Sequence, residues 1–420
     1  MSNWQSIYEE KVIDCTEAVQ MVNSSQNLFL SAYVNEPQSL VDELIDQRER
    51  LKGLTMFVNV VGSQAKYASE KVSEYFNIKT FLSNISLNEA FKRGNCDYIP
   101  INVSQIPRFI HEQQTDVAFI QLTPPNAEGY CSLGTSVDVN HHLIKNASLV
   151  IAEVNEGMPF THGDSLVNVR NVDYFVLSDK KVNYIEFKEP DDIALKIGRL
   201  AADLIPDGAT IQWGIGNVPN SVVSQLTNKS NIKVHSGSIS DSIIEMIQEG
   251  NVVEPIIATS IIGTNRLYEF AHNNEAIHLL PVDETHNVHV LGSKDQFFSI
   301  NSAVEVDISG QVNAEKLNGQ TIAGVGGQMD FIVGSNLSSG GRSMIVLPSS
   351  TKNEKHSKIV HRIQEVTSLK SHVDYVVTEY GIAKLFGKTL AERNEEMIKI
   401  AHPKFRDKLR RAQKEVDKWT

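Results

Sequence analysis

Cysteine is scarce in this sequence of 420 residues. Cys15, Cys96 and Cys131 are widely separated, odd in number and in no C-x-x-C pair. We therefore expect neither a disulfide framework nor a cysteine zinc site, and a reducing cytoplasm is the expected location. The histidines form no H-x-x-x-H or H-E-x-x-H spacing either, so no metal site is predicted. Cys131 is expected to be a small buried core residue.

Positive charge and long apolar runs are also in short supply. The chain has 39 Lys+Arg against 51 Asp+Glu, a formal net charge of -12. Such a chain repels nucleic acid and anionic membranes unless it carries a local basic patch. No apolar run approaches the roughly 20 residues that span a bilayer, and Glu9 and Glu10 lie where a signal peptide would be apolar. We expect no nucleic-acid or membrane partner.

The remaining composition is that of a globular protein, with 41% hydrophobic and 21% charged residues. Short, continuously apolar segments alternate with helical patterns, which is typical of parallel strands covered on both faces and hence of an α/β fold. The clearest strands in the first half are 54–61, 116–122, 148–154 and 173–178. The polar stretch 180–192 indicates a boundary. We therefore predict two open α/β domains, residues 1–185 and 186–420, with the active site at their interface.

A first candidate site lies in the segment 210–221, where a predicted strand runs into Gly214, Gly216 and Asn217. Glycine lets the backbone approach a ligand closely, and a helix start near Pro219 offers free N–H groups. Such a turn can hold a phosphate or an oxyanion. The third glycine of a dinucleotide fingerprint is missing, so NAD binding is not predicted. An ordinary tight turn is the alternative.

Two further segments stand out. Gly324, Gly326 and Gly327 belong to a glycine-rich stretch that is followed by a second one at 334–343, and their backbone could cradle a thioester or a pantetheine arm. Glu379 ends a predicted strand and precedes a glycine turn, where α/β sites usually lie. Ordinary loops and a solvated or capping carboxylate are the alternative interpretations.

Together these segments resemble the acetyl-CoA hydrolase/CoA-transferase family, nearest its 4-hydroxybutyrate CoA-transferase branch. The similarity covers nearly the whole chain and includes residues 35–38, 116–134, 151–164, 301–315, 324–331, 378–383 and 401–407. The resemblance implies two open α/β domains, coenzyme A as cosubstrate, an acyl-CoA and a small carboxylate as partners, and a homo-oligomer.

The resemblance also implies a mechanism. A glutamate attacks the acyl-CoA thioester to form an anhydride, and the CoA thiolate then makes a glutamyl-CoA thioester that passes CoA to an acceptor carboxylate. The turn at 214–217 would supply oxyanion donors, and 324–327 would line the CoA channel. Local cations are needed for the phosphates of CoA, although a solvated basic face is an equal alternative. The candidates are Arg342, Lys352, Lys355, Lys358 and Arg362.

This sequence departs from the family pattern at two places. The segment that resembles His-Thr-Glu-x-x-Ser-Asp begins here His235-Ser236-Gly237, so Gly237 stands at the position of the nucleophilic glutamate. A segment that places an asparagine in the family ends here in His286, with an added carboxylate at Glu284. A histidine can act as general base near pH 7, oriented by Glu379 or Glu284.

Three hypotheses follow. An acyl-CoA:carboxylate CoA-transferase of the acetate/4-hydroxybutyrate type leads. A thioester hydrolase or lyase that uses His286 as base is the first alternative, because the nucleophilic glutamate is missing. A non-catalytic acyl-CoA-binding protein is the second.

Overall fold

The structure, a computed structural model, describes residues 3–59 and 64–416. The chain divides into two compact units. The first contains Met1–Glu186 and Ile257–Thr285, and the second contains Phe187–Ile256 and His286–Thr420. The segment Ile257–Thr285 therefore belongs to the first unit, whereas the predicted domain boundary assigns it to residues 186–420.

Helices and strands alternate along the described chain. The helices are α1 (Asn3–Lys11), α2 (Cys15–Gln20), α3 (Gln38–Asp46), α4 (Asn88–Arg93), α5 (Ile106–Glu112), α6 (Asn140–Asn146), α7 (Asp192–Ala202), α8 (Asn217–Val223), α9 (Ser242–Gln248), α10 (Asn265–Ala271), α11 (Val282–Thr285), α12 (Val288–Gly292), α13 (Gln328–Leu337), α14 (Leu390–Ile400) and α15 (Pro403–Val416). The strands are β1 (Asn27–Leu30), β2 (Leu54–Asn59), β3 (Phe76–Leu82), β4 (Cys96–Tyr98), β5 (Val117–Leu122), β6 (Tyr130–Ser132), β7 (Leu149–Asn155), β8 (His162–Gly163), β9 (Leu166–Asn168), β10 (Tyr174–Ser178), β11 (Thr210–Trp213), β12 (Ile232–His235), β13 (Ser238–Ile239), β14 (Val252–Ala258), β15 (Ser260–Ile261), β16 (Ile277–Leu279), β17 (Phe297–Asn301), β18 (Glu305–Asp307), β19 (Val312–Asn313), β20 (Lys316–Leu317), β21 (Gln320–Thr321), β22 (Arg342–Val346), β23 (Ile359–Val360), β24 (Tyr375–Thr378) and β25 (Gly381–Lys384).

The first unit is built on a parallel sheet in the order β10-β7-β5-β1-β2-β3-β4. Successive side chains of a strand point to opposite faces, so Leu28 and Leu30 enter one core while Phe29 enters the other. Phe29 stacks on Phe57 there, with ring centroids 4.3 Å apart. The predicted strands of the first half are confirmed as β2, β5, β7 and β10, except that residues 60 and 61 of the first lie outside the described residues.

In the second unit, strands pair in the order β25-β24-β22-β17-β11-β12. All of these pairs are parallel except the antiparallel pair of β24 with β25. The carboxyl ends of parallel strands meet at one edge of a sheet, where ligands of α/β proteins usually bind. Gly214 after β11, Asn301 at the end of β17 and Glu379 after β24 therefore share that edge.

These parallel sheets covered by helices confirm the predicted α/β class. Across the described ranges, no helix is both long and apolar enough to cross a lipid bilayer. Within the same ranges, no three His, Cys, Asp or Glu side chains are grouped so that they could hold a metal ion.

Candidate active site

A cavity of about 1040 Å³ lies within the second unit, at the carboxyl edge of its sheet. Its volume is at the upper end of the roughly 300–1,000 Å³ typical of small-molecule and cofactor pockets. Five parts of the chain contribute its walls: the turn after β11, the end of β17 with the chain that follows it, the loop before α13, the segment 355–362, and α15. The cavity wall includes Gly214, Ile215, Asn301, Glu305, Leu317, Ile322, Gly324, Gln328, Lys355, Lys358, Arg362 and Lys408.

The glycine turn after β11 borders this cavity, with Gly214 and Ile215 in the cavity wall. The Gly214 N–H donates to the Ile300 carbonyl at 2.8 Å, which extends the parallel ladder by one residue. Gly216 precedes α8 with φ +140°, a conformation that favours glycine. The N–H groups of Ile215, Gly216 and Asn217 form no hydrogen bond with other described residues.

This geometry corrects the predicted set of oxyanion donors. Because the Gly214 N–H is already bonded, Gly214 lines the cavity without a free donor. Ile215 takes its place, and the sequence pattern did not identify it because a pattern does not show which amide is bonded to a neighbouring strand. Gly216 and Asn217 keep free N–H groups at the start of α8, but neither residue is part of the cavity wall.

Four basic side chains line the cavity: Lys355, Lys358, Arg362 and Lys408. None of them forms an ion pair with the described residues. The cavity lining contains one acidic residue, Glu305, whose Oε1 accepts a hydrogen bond from Asn313 at 3.1 Å. In a protein of net charge -12, a cavity with four unpaired cations is a local anion-attracting site.

Lys358 is the most enclosed of these cations. Its backbone is held on both sides, because its N–H donates to the Ser349 carbonyl at 2.9 Å and its own carbonyl accepts from the Val306 N–H at 2.9 Å. Burial lowers the pKa of the Lys358 ammonium, and the nearby charge of Glu379 opposes that change. The side chain is therefore a partly buried cation whose burial would be compensated by a bound anion.

The predicted basic cluster is partly corrected. Lys355, Lys358 and Arg362 lie on the cavity wall, but Arg342 and Lys352 do not. Arg342 donates to the neighbouring Gly341 carbonyl at 2.6 Å, and the Lys352 side chain is 94% exposed. Lys408 was missed because α15 follows the cluster by more than forty residues and only the fold brings it back to the cavity.

The predicted CoA-binding glycines have different surroundings. Gly324 lines the cavity, as does Gln328 four residues later. Gly326 has φ +60° and Gly327 precedes α13, and neither is part of the cavity wall. Gly327 instead faces an imidazole, because a Cβ built on it would lie 2.5 Å from Cδ2 of His286.

His286 is enclosed between two glycines and an aromatic ring. Its side chain is 3% exposed, and its ring centroid lies 4.6 Å from that of Phe331. A Cβ built on Gly237 would lie 3.1 Å from His286 Nε2. Burial lowers the pKa of His286 to about 3, and the charge of His235 acts in the same direction. Burial thus makes the imidazole a weaker base than the predicted general base near pH 7 requires, and the role of His286 stays a prediction.

The two glutamates predicted to orient His286 have other environments. The Glu379 carboxylate accepts hydrogen bonds from the Ser349 N–H at 2.9 Å and from the Ser349 hydroxyl. Glu379 thus fixes the strand end beside Lys358, and its carboxylate is bound to Ser349 rather than directed at an imidazole. Glu284 is exposed on the short helix α11 of the first unit.

Comparison with known proteins gives a consistent result. Residues 1–186 match the acetyl-CoA hydrolase/transferase N-terminal domain, and residues 263–413 match its C-terminal domain. The chain is 38% identical over 419 residues to the 4-hydroxybutyrate coenzyme A transferase of Clostridium kluyveri, covering 97% of this chain and 98% of that protein.

Solved structures agree over the whole length. RipA from Yersinia pestis superposes with a TM-score of 0.94 at 27% identity, covering 99% of both chains. The 4-hydroxybutyrate CoA-transferase abfT-2 of Porphyromonas gingivalis superposes with a TM-score of 0.85 at 29% identity, covering 100% of both chains.

Proposed function

This chain belongs to the acetyl-CoA hydrolase/transferase family and is a CoA-transferase-type enzyme, and we propose that it moves CoA from an acyl-CoA to a small carboxylate of the acetate or 4-hydroxybutyrate type. The observation that carries the proposal is the cavity of the second unit. Its wall contains Ile215, whose N–H is free, and four cations that form no ion pair with the described residues, and the turn continues beyond the wall to the free N–H groups of Gly216 and Asn217.

The two parts of the cavity suit the two ends of an acyl-CoA. The nucleotide end of CoA carries several phosphates, which Lys355, Lys358, Arg362 and Lys408 would neutralise. The thioester end needs donors for the oxygen that becomes negative when the carbonyl is attacked. The N–H groups of Ile215, Gly216 and Asn217 would supply them without reorganisation.

In this reaction the thiol of CoA passes from one acyl group to another. An acyl-CoA and an acceptor carboxylate give the free acyl carboxylate and the CoA thioester of the acceptor. We propose that CoA is the cosubstrate and that no metal takes part. A homo-oligomer, a cytoplasmic location and a domain boundary near residue 185 also belong to the proposal. Sedimentation, fractionation of a tagged protein and limited proteolysis test these three points.

The activity test uses butyryl-CoA with and without acetate, followed by chromatography of the CoA species. The transferase predicts acetyl-CoA that appears only with acetate. Free CoA formed without acetate would identify a hydrolase and contradict the proposal. CoA binding with neither product would identify a non-catalytic acyl-CoA-binding protein.

A matched pair of variants tests the cavity. Lys358→Met removes a cation of the wall, and Lys352→Met removes a nearby cation that lies outside it. The proposal predicts weaker CoA binding for Lys358→Met only. Equal effects of the two variants would remove the cavity from the proposal.

A hydrolase or lyase is the second candidate function, and one observation favours it. Position 237 is a glycine, so this position offers no carboxylate to form a covalent intermediate. A general-base role of His286 would require a base far stronger than a buried imidazole with a pKa of about 3. His286→Asn with unchanged CoA release in the absence of acceptor would exclude that role.

A further inference from the structure

Backbone conformation does not require glycine at positions 237 and 327. Gly327 has φ -92°, which any residue adopts, and Gly237 is not in the left-handed region either. Both positions therefore accept an L-residue as far as the main chain is concerned. At each position, the first group that an added Cβ would meet is the imidazole of His286.

The contacts at Gly237 show how little space is left. A Cβ there would lie 3.1 Å from His286 Nε2, 3.3 Å from His286 Cε1 and 3.4 Å from Phe331 Cε2. The two distances to the imidazole are tighter than ordinary van der Waals contacts, so the ring must shift by a few tenths of an ångström to admit a Cβ, and a longer side chain must pass the same atoms. The ring cannot move away easily, because Phe331 and Gly327 bound it. A side chain at position 237 therefore competes with the imidazole of His286 for the same space.

We propose that Gly237 and His286 form a coupled pair, in which the imidazole occupies the volume of a side chain at position 237, so that the acceptor carboxylate itself attacks the thioester. This inference rests on the proposed transferase function. It makes His286 a positioning residue. The imidazole packs on Gly327, and the neighbouring residues Gly324 and Gln328 form the cavity wall.

The chemistry balances without a protein nucleophile. An acceptor carboxylate oxygen adds to the thioester carbonyl carbon, the C–S bond breaks, and CoA leaves as the thiolate. The mixed anhydride stays in the cavity without a covalent bond to the protein. The thiolate then attacks the acceptor's carbonyl carbon, the anhydride C–O bond breaks, and the donor carboxylate leaves with the electron pair. No net proton or electron is consumed.

Direct attack has a kinetic signature. Acyl-CoA and acceptor must be bound together, so initial velocities should follow a sequential pattern, with lines that intersect when both concentrations vary. A protein-bound intermediate would give the parallel lines of a ping-pong mechanism. The measurement is the rate of acetyl-CoA formation from butyryl-CoA and acetate. Intact-mass analysis of the enzyme after incubation with butyryl-CoA alone should show no covalent CoA.

A set of three variants tests the coupling: Gly237→Glu, His286→Asn and the two together. We expect only a trace of CoA adduct with Gly237→Glu alone, because the imidazole hinders the glutamate from entering its place. Asparagine is smaller than histidine, so the double variant should gain at least ten-fold more CoA adduct than Gly237→Glu and become ping-pong. His286→Asn alone is the control and should bind CoA without an adduct.

The outcomes separate cleanly. Ping-pong kinetics with CoA on a glutamate of the unmodified protein would overturn the proposal, as would equal adduct formation in Gly237→Glu and the double variant. If the double variant does not fold, Gly237→Ala tests the same contact, because it adds only a Cβ at position 237. We expect Gly237→Ala to lower the stability measured by urea unfolding when His286 is present and not in the His286→Asn background. An equal loss of stability in both backgrounds would overturn the coupled pair. Absence of any turnover would contradict the transferase function and leave this stability test intact.

Discussion

Adding one methyl group at Gly327 should destabilise the second unit through its contact with the imidazole of His286. The added Cβ would lie 2.5 Å from His286 Cδ2, 2.6 Å from His286 Nε2 and 3.0 Å from Phe331 Cε2. The backbone at Gly327 contributes no strain, because φ -92° and ψ 3° suit alanine. The cost of Gly327→Ala is therefore mainly steric.

The magnitude has two parts with different origins. Overpacking of a filled core costs about 1–3 kcal/mol of unfolding free energy. Gly327 also precedes α13 as its N-cap, where alanine is poorer than glycine by roughly 1 kcal/mol. The single variant should thus lose about 2–4 kcal/mol. For a unit of this size, each kcal/mol lowers the melting temperature by roughly 2–4 °C.

A double-mutant cycle separates the two parts. Urea unfolding is measured for the unmodified protein, Gly327→Ala, His286→Ala and the double variant. The N-cap cost remains when the imidazole is absent, whereas the steric cost disappears. We expect a coupling free energy of about 1–3 kcal/mol. If the two free-energy changes are strictly additive, the imidazole of His286 is not what requires glycine at position 327.

Three further predictions concern other parts of the molecule. Burial raises the pKa of Asp138 to about 7, so the folded state keeps a proton that the unfolded chain releases near pH 4, and this contribution to stability is lost as the pH rises to about 7. Relative to Asp138→Asn, the protein should therefore lose roughly 2–3 kcal/mol of unfolding free energy between pH 5 and pH 8 in urea titrations, and parallel curves would contradict this. Lys358→Met should weaken CoA binding roughly ten-fold, or about 1.4 kcal/mol, in calorimetry at low salt, and it should leave the binding of pantetheine unchanged. Lys352→Met should change neither affinity. Weaker binding of pantetheine to Lys358→Met would contradict a contact between Lys358 and a phosphate. Burial raises the pKa of the Cys96 and Cys131 thiols to about 12, so Ellman's reagent should label them only after unfolding, and rapid native labelling would refute their burial.

Much of the fold was predictable because burial leaves a pattern in the sequence. Strands covered on both faces are apolar at consecutive positions, and β5 (Val117–Leu122) is buried at every residue. The family was predictable because several short segments that resemble it occur in the same order along the chain. The structure groups the segment Ile257–Thr285 with the first unit, which the sequence does not indicate because a return of the chain to an earlier unit changes neither composition nor periodicity.

The candidate site was predictable only in part. The turn at 214–217 and Gly324 were identified and do line or border the cavity, together with three of the five cations. The sequence did not identify which amide was free or which lysine faced solvent. It also did not identify which helix returned to the cavity. These are properties of pairs of residues far apart in the chain, such as Gly214 with Ile300 or Lys408 with Lys358.

Residue identity alone determined the α/β class, the family and the absence of a carboxylate at position 237, because each follows from side-chain type and order along the chain. The tertiary structure decided the state of His286. Its pKa of about 3 comes from loss of solvent, and its place beside Gly237 and Gly327 comes from packing. Desolvation and packing depend on surroundings in three dimensions, so the sequence could mark His286 as a candidate base but could not show that burial lowers its pKa or that it packs against Gly237 and Gly327.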